Sequence, residues 1–184
     1  MSTLKTTNLQ HPSAASPAIV LDADGDATYA GVHDFSAATV TGVGKVLQVV
    51  SNTYATNIST TSTSFVTTGL TATITPSAAT SKIMVFINSP FRTTGSEGTA
   101  GYATVYRGTV AGTNLGTASG FGQIYQYTTG EINDLPYPIS ILDNPATTSA
   151  TTYTFAIRSS SASLTVSTLL ASSKGTITLM EISA

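Results

Sequence analysis

From Lys45 to the C-terminus, apolar residues alternate with Thr and Ser at a spacing of two, the period of a half-buried strand. Val46 to Val50 is apolar, and from Ser64 to Thr75 the apolar members are Phe65, Leu70, Ala72 and Ile74. Pro76 to Ser81 breaks the run. Ile83 to Ile87 is continuously apolar and too short for a typical helix, which predicts a central strand buried on both faces. Arg92 to Ala100 reads as a glycine-containing loop, Tyr102 to Val110 alternates again, and Phe121 to Tyr127 follows. Pro136 to Leu142 has Pro at its start and at 138, as edge strands do. Asp143 to Ser149 reads as a turn. Beyond it Tyr153, Phe155 and Ile157 share one face, and Thr154, Ala156 and Arg158 the other. Leu164 to Leu170 and Thr176 to Ile182 complete a set of about eight strands, with no amphipathic helix. The pattern predicts an all-β fold, a jelly-roll-like β-sandwich over residues 45–184.

Residues 1–44 read differently. Thr6 to Pro17 is polar and proline-bearing, an extended, irregular arm. Ala18 to Leu21, a turn over Asp22 to Asp26 and an extended piece from Ala27 to Phe35 predict a small hairpin. Phe35 to Gly44 reads as a connector. An arm of this kind gains order only against a partner, so residues 1–44 are expected to dock on another protein.

Composition narrows the function. Only 9% of the 184 residues are charged and the net charge is −2, so no electrostatic footprint for nucleic acid is present. The seven Lys and Arg are scattered singly, which gives no membrane-binding basic patch. No apolar run approaches a membrane span, and Met1 to Lys5 leads into polar residues rather than a signal sequence. Ser and Thr make up roughly a third of the chain, far above average usage. A hydroxyl-covered surface with so few charges suits a protein that buries part of itself against its own copies.

Several stretches resemble the virion fibre and appendage proteins, of tail or head, of tailed phages of marine bacteria, cyanophages especially. They are Met1 to Lys5, Leu9 to Gly25, Gly44 to Val50, Ser64 to Val66 through Ile74 to Pro76, Ser81 to Ile83, Arg107-Gly108 with Asn114 to Gly116, Leu142 to Pro145 with Thr151 to Tyr153, and Thr176 to Ile182. The resemblance implies a homotrimeric fibre or knob in the virion, with an N-terminal docking segment. The chain carries no long coiled-coil or repeat shaft.

Candidate chemistry is sparse. Cysteine is absent, which removes disulfides, thiolate metal sites and a Cys nucleophile. Asp22, Asp24 and Asp26 around Gly25 resemble the start of a calcium loop, but the closing Glu is missing and Asp-Gly favours a hairpin turn, so no metal is expected. His11 and His33 are the two histidines; His33-Asp34 sits in the hairpin segment, and no Gly-x-Ser-x-Gly occurs. Glu131, Asp134 and Asp143 could serve glycoside cleavage only if two lay about 5–10 Å apart. The expectation is a non-enzymatic protein without a cofactor. Tyr102, Tyr106, Tyr125, Tyr127 and Tyr137 are the candidate receptor or interface aromatics, either stacking on host surface glycan or packing a sheet face and subunit contact.

Overall fold

The computed structural model describes the backbone of residues 8–9, 19–21 and 27–29, and residues 45–168 and 173–183 in full. The chain divides into two compact units, Met1–Val43 and Gly44–Ala184. In the first unit, strands β1 (Asn8–Leu9), β2 (Ile19–Leu21) and β3 (Ala27–Tyr29) form an antiparallel sheet in that order. The expected hairpin is present as β2 and β3, with Ile19 opposite Tyr29 and Leu21 opposite Ala27. The lead is less irregular than its polar sequence implies, because Asn8–Leu9 adds to the free edge of β2. Asp22 to Asp26, His11, His33 and Asp34 lie outside the described residues.

The second unit is all-β. Its strands are β4 (Val46–Tyr54), β5 (Ile58–Thr60), β6 (Val66–Ile74), β7 (Lys82–Gly95), β8 (Thr99–Arg107), β9 (Thr113–Asn114), β10 (Gly122–Gln126), β11 (Ile132–Asp143), β12 (Thr151–Ser159), β13 (Leu164–Thr168) and β14 (Gly175–Ile182). One sheet runs β10-β8-β12-β6, with β9 also on β8. The other runs β4-β14-β7-β13-β5, with β11 along the opposite side of β7. β13 and β14 pair with successive parts of β7, at Phe91–Gly95 and Lys82–Asn88, so they act as one interrupted strand. β4 and β5 follow them in the same way. With those two pairs merged, the six-stranded sheet reads β4/β5, β14/β13, β7, β11 and faces β6, β12, β8, β10. The chain crosses between sheets at β6 to β7 and at β7 to β8, and of the sheet neighbours in this unit β8 and β9 alone are chain neighbours. This is the jelly-roll sandwich that the pattern predicts.

Period-2 alternation builds the core. Ile83, Val85, Ile87 and Phe91 from β7 and Ile177 and Leu179 from β14 meet Leu70, Ile74, Val105, Tyr153, Phe155 and Ile157 from the other sheet. Burying each large apolar side chain contributes about 1.5–3 kcal/mol. β7 departs from expectation in two ways. It runs on to Gly95, because β11 and β13 both pair with Arg92 to Thr94 and convert the expected loop into strand. It is central, yet only its odd-numbered side chains are buried: Met84 is half-buried and Phe86 is exposed on the outer face. An apolar run reports that both faces avoid water, not that the same chain covers both.

The sandwich edges are closed by side chains. Asn52 Nδ2 on β4 donates to the Thr71 carbonyl of β6 at 2.7 Å, and Gln48 Nε2 donates to the Thr75 carbonyl at 2.7 Å. Amides thus bridge two edge strands where no ladder exists. β11 is an edge strand, as its prolines predict. Pro136 lies opposite Pro90, and neither has an N–H, so this is a non-hydrogen-bonded pair. Pro138, two residues on, shares that phase, and both prolines remove a donor from the open edge. Cross-strand hydroxyl pairs, Ser59 with Ser167 at 2.8 Å and Thr73 with Thr152 at 2.7 Å, use some of the Ser and Thr excess.

Glu181 ties one end of the sandwich. It is inaccessible to solvent and accepts hydrogen bonds from the Ser77 N–H at 2.7 Å, Ser77 Oγ at 2.6 Å and Gln48 Nε2 at 2.6 Å. Desolvation pushes its pKa up, but the hydrogen bonds from Ser77, Gln48 and Ser81 outweigh it and hold the carboxyl at about 2, below its ordinary 4.5. A depressed carboxyl pKa contributes stability that is fully present above pH 4.5 and is lost as pH falls from there toward about 2. Urea unfolding across that window is expected to show falling stability in the native protein. Glu181→Gln is expected to be about 2 kcal/mol less stable at neutral pH and to lose less on acidification.

Candidate functional site

The jelly roll presents two unlike outer faces. On the six-stranded sheet, register aligns one rung across four strands: Val49 on β4, Met180 on β14, Met84 on β7 and Leu142 on β11. Val49 is 53% and Leu142 46% exposed, with Phe86 and Leu47 each at 41% beside them. The next rung, Ser51, Thr178, Phe86 and Ser140, carries hydroxyls and one aromatic ring, and no charge. Further along lies a shallow groove of 660 Å³, lined by Phe86, Pro136, Pro138, Ser140, Thr176 and Thr178. Arg92 and Asp134 close that side with a two-pronged ion pair, Arg92 Nε to Asp134 Oδ1 at 2.5 Å and the second prong through Nη2 and Oδ2. This pairing raises the Arg92 pKa and lowers that of Asp134.

The outer face of the five-stranded sheet is aromatic and polar. Tyr102 and Tyr106 stand on β8, half-buried. The Arg158 guanidinium lies 4.1 Å from the centre of the Tyr102 ring and 5.3 Å from that of Phe65, and Phe65 meets Tyr106 edge-on at 6.0 Å. Gln123 on β10 is opposite Tyr102, and Tyr125 follows on the same face. Tyr125 and Tyr127 touch at 4.8 Å between ring centres, and Tyr127 is 78% exposed. Of the five candidate tyrosines, four therefore lie on this face. Tyr137 points the other way: it packs on Phe91 at 5.0 Å against the core, and burial pushes its phenol up to about 12.

Residues 108–121 form a flap over the same face. The buried hydroxyls of Thr104 and Thr154 hold it, Thr104 Oγ1 donating to Asn114 Oδ1 at 2.5 Å and Thr154 Oγ1 to the Gly108 carbonyl at 2.7 Å. Asn114 also accepts from the Gly116 N–H and donates to the Thr117 carbonyl, and Arg158 Nη2 donates to the Ala118 carbonyl at 2.9 Å. Thr117 and Gly120 close a tight turn through bonds of 2.9 and 3.2 Å. Between the turn and β10 is a cleft of 320 Å³, lined by Tyr102, Thr117, Ser119, Gly120, Phe121, Gly122 and Gln123. Sequence reading missed Phe121, Gln123 and Ser119 as site residues; an Asn-x-x-Thr-x-x-Gly stretch is the local signal of a self-bonded turn.

Asp143 stands apart from the other two candidate carboxylates, Asp134 near the start of β11 and Glu131 just before it. Asp134 and Asp143 are nine residues apart on β11, about 30 Å of strand, and point to opposite faces. Asp143 accepts from Tyr153 Oη at 2.7 Å and lies 3.4 Å from Arg107, and burial foremost pushes the Tyr153 pKa up. Among the described residues no His, Asp and Glu cluster could hold a metal, and no helix is long and apolar enough to cross a membrane.

No protein-family profile matches the chain, and no curated protein matches it. Solved structures do. The infectious bursal disease virus VP2 subviral particle matches at 17% identity and a TM-score of 0.35, over 74% of this chain and 40% of that one. The Gx strain of the same virus gives 19% and 0.36, over 75% and 37%, and the Gt strain 16% and 0.37, over 89% and 46%. The chain thus spans less than half the length of those solved chains, and the likeness is too distant to carry an argument about function.

The flap generates a prediction. Gly120 has φ +72°, and a Cβ there would collide with the Ala103 carbonyl. Gly120→Ala is expected to cost about 2 kcal/mol and to raise amide exchange across 114–121 without unfolding the sandwich. Exchange mass spectrometry reads the outcome.

Proposed function

We propose that this chain is a virion structural protein, a short homotrimeric fibre or appendage subunit without catalytic activity. Residues 1–44 dock it to another virion protein, and the jelly roll is the exposed part. The observation that carries the reading is the apolar rung Val49, Met180, Met84 and Leu142 on a sheet face rich in Ser and Thr, whose charges on β7 and β11 are Lys82 and the mutually paired Arg92 and Asp134. A lone domain of this size ordinarily stays soluble with many more charges. Thr and Ser beside the rung can be buried at small cost when their hydroxyls find partners. Edge-to-edge pairing is the other route to self-association, and prolines on β11 and amide bridges between β4 and β6 oppose it. Face-to-face packing remains. The sequence resemblance supplies the number three, the docking role of the arm and the virion as location; a closed three-fold ring also projects one axis from a particle, as a fibre needs.

A second reading, a glycan-binding module for host adsorption, is favoured by the four tyrosines and the cleft on the opposite face. It is compatible with the first, since assembly and adsorption would use different sheets.

Light scattering on the full chain is expected to give three times its 18.8 kDa mass. Met84→Glu places a charge in the middle of the rung and is expected to give monomers with unchanged far-ultraviolet dichroism. A stable wild-type monomer at micromolar concentration contradicts the reading.

A further inference from the structure

We propose that the 320 Å³ cleft beneath the Thr117–Gly120 turn is a binding site for a neutral oligosaccharide, with one pyranose ring stacked on Phe121. The inference rests on the glycan-binding reading, to which it gives a site and a ligand class, and does not depend on the assembly reading.

Three observations carry it. The first is an open aromatic platform. Phe121 is 37% exposed, and alternation along β10 places Gln123, Tyr125 and Tyr127 after it on the same face. An aromatic face carries negative charge density, and the axial C–H groups of a sugar ring are weak donors to it. A longer chain of sugars along β10 meets the Tyr125 and Tyr127 rings next.

The second is unused hydrogen-bonding capacity of neutral kind. The Gln123 amide, the Ser119 hydroxyl and the Tyr102 hydroxyl line or border the cleft, and no hydrogen bond within the described residues engages them. Amides and hydroxyls can both donate and accept, which is what vicinal sugar hydroxyls require. The cation within reach, Arg158, is committed to the Tyr102 ring and to the Ala118 and Ser159 carbonyls. A phosphate or nucleic acid would find no free positive charge here.

The third is preorganisation. Asn114, Gly116 and Gly120 fix the turn against β8 before any ligand arrives, so binding does not have to order the loop. Tyrosine and phenylalanine add contact area with few rotamers to freeze.

The test is ligand-observed saturation-transfer NMR and tyrosine fluorescence on the full chain, which has no Trp to mask its Tyr emission. The probes are cellohexaose, laminarihexaose, maltohexaose and mannohexaose, with an oligogalacturonate and a single-stranded oligonucleotide as acidic comparisons. At least one neutral hexasaccharide is expected to bind with a dissociation constant of about 1 mM. Phe121→Ala is expected to weaken that binding at least ~10-fold and Gln123→Ala by ~3-fold or more, as loss of stacking and of one hydrogen bond imply. Lys82→Ala, on the other sheet, leaves it unchanged. Met84→Glu binds as the native chain does, so failure of the assembly reading is told apart from failure of this one. Binding of none of the four neutral probes overturns the proposal. So does binding of the acidic probes alone, or an unchanged affinity in Phe121→Ala.

Discussion

Strand β7 sets the register of the whole six-stranded sheet. Its fourteen residues, Lys82 to Gly95, pair with β11 on one side and with β14 and then β13 on the other. β4 and β5 take their places from β14 and β13 in turn. Because side chains alternate strictly, a slip of one residue would move Ile83, Val85 and Ile87 outward and bring Met84 and Phe86 into the core. The same constraint that buries the core therefore aligns Val49, Met180, Met84 and Leu142 outside it. Core and candidate interface are two readings of one ladder.

A chain with few charges must tie its parts together by other means. Amides do much of this work here. Gln48 and Asn52 reach the Thr75 and Thr71 carbonyls at and just beyond β6, and Asn114 holds the flap. Gln126 is wholly buried, accepts from Thr93 and Asn133, and donates to the carbonyls of Thr128 and Glu131. The buried or partly buried charges are each answered locally: Glu181 by hydroxyl, amide and backbone donors, Asp143 by Tyr153 and Arg107. Satisfied in this way, polar groups in the interior specify one arrangement instead of opposing it. Hydroxyls on the outer six-stranded face are available for the same use against a neighbour.

The strands were legible where alternation ran long. Leu70, Ala72 and Ile74, and Tyr153, Phe155 and Ile157, fall on the core side as their spacing requires. The prolines of β11 marked an edge for a chemical reason that holds in any fold. What could not be read was what tertiary pairing decides. Arg92 to Gly95 looks like loop and becomes strand because two neighbours hydrogen-bond it. The two- and three-residue strands β1, β5 and β9 have too few positions to show a period. Tyr137 and Tyr102 look alike in sequence, yet one faces the core and the other a cleft. The cleft depends on Gly120 folding a turn back over β8; the spacing of Asn114, Thr117 and Gly120 signals the turn but not the strand it folds onto.

The two outer faces divide the proposed work, one apolar and suited to copies of the chain, one aromatic and open. The claim on which this division rests is that the rung on the six-stranded sheet is covered in the native protein. Peroxide oxidation of the methionines tests it at the residues themselves, since Met84 and Met180 sit in the middle of the rung. Oxidation of these two is expected to be slower in the native protein than in the urea-unfolded chain by well over ~10-fold, as for methionines packed in an interface. It is also expected to accelerate when Leu142→Glu opens that face. Rates within a few-fold of the unfolded chain, unaffected by Leu142→Glu, would mean that the rung faces water and that the account is wrong.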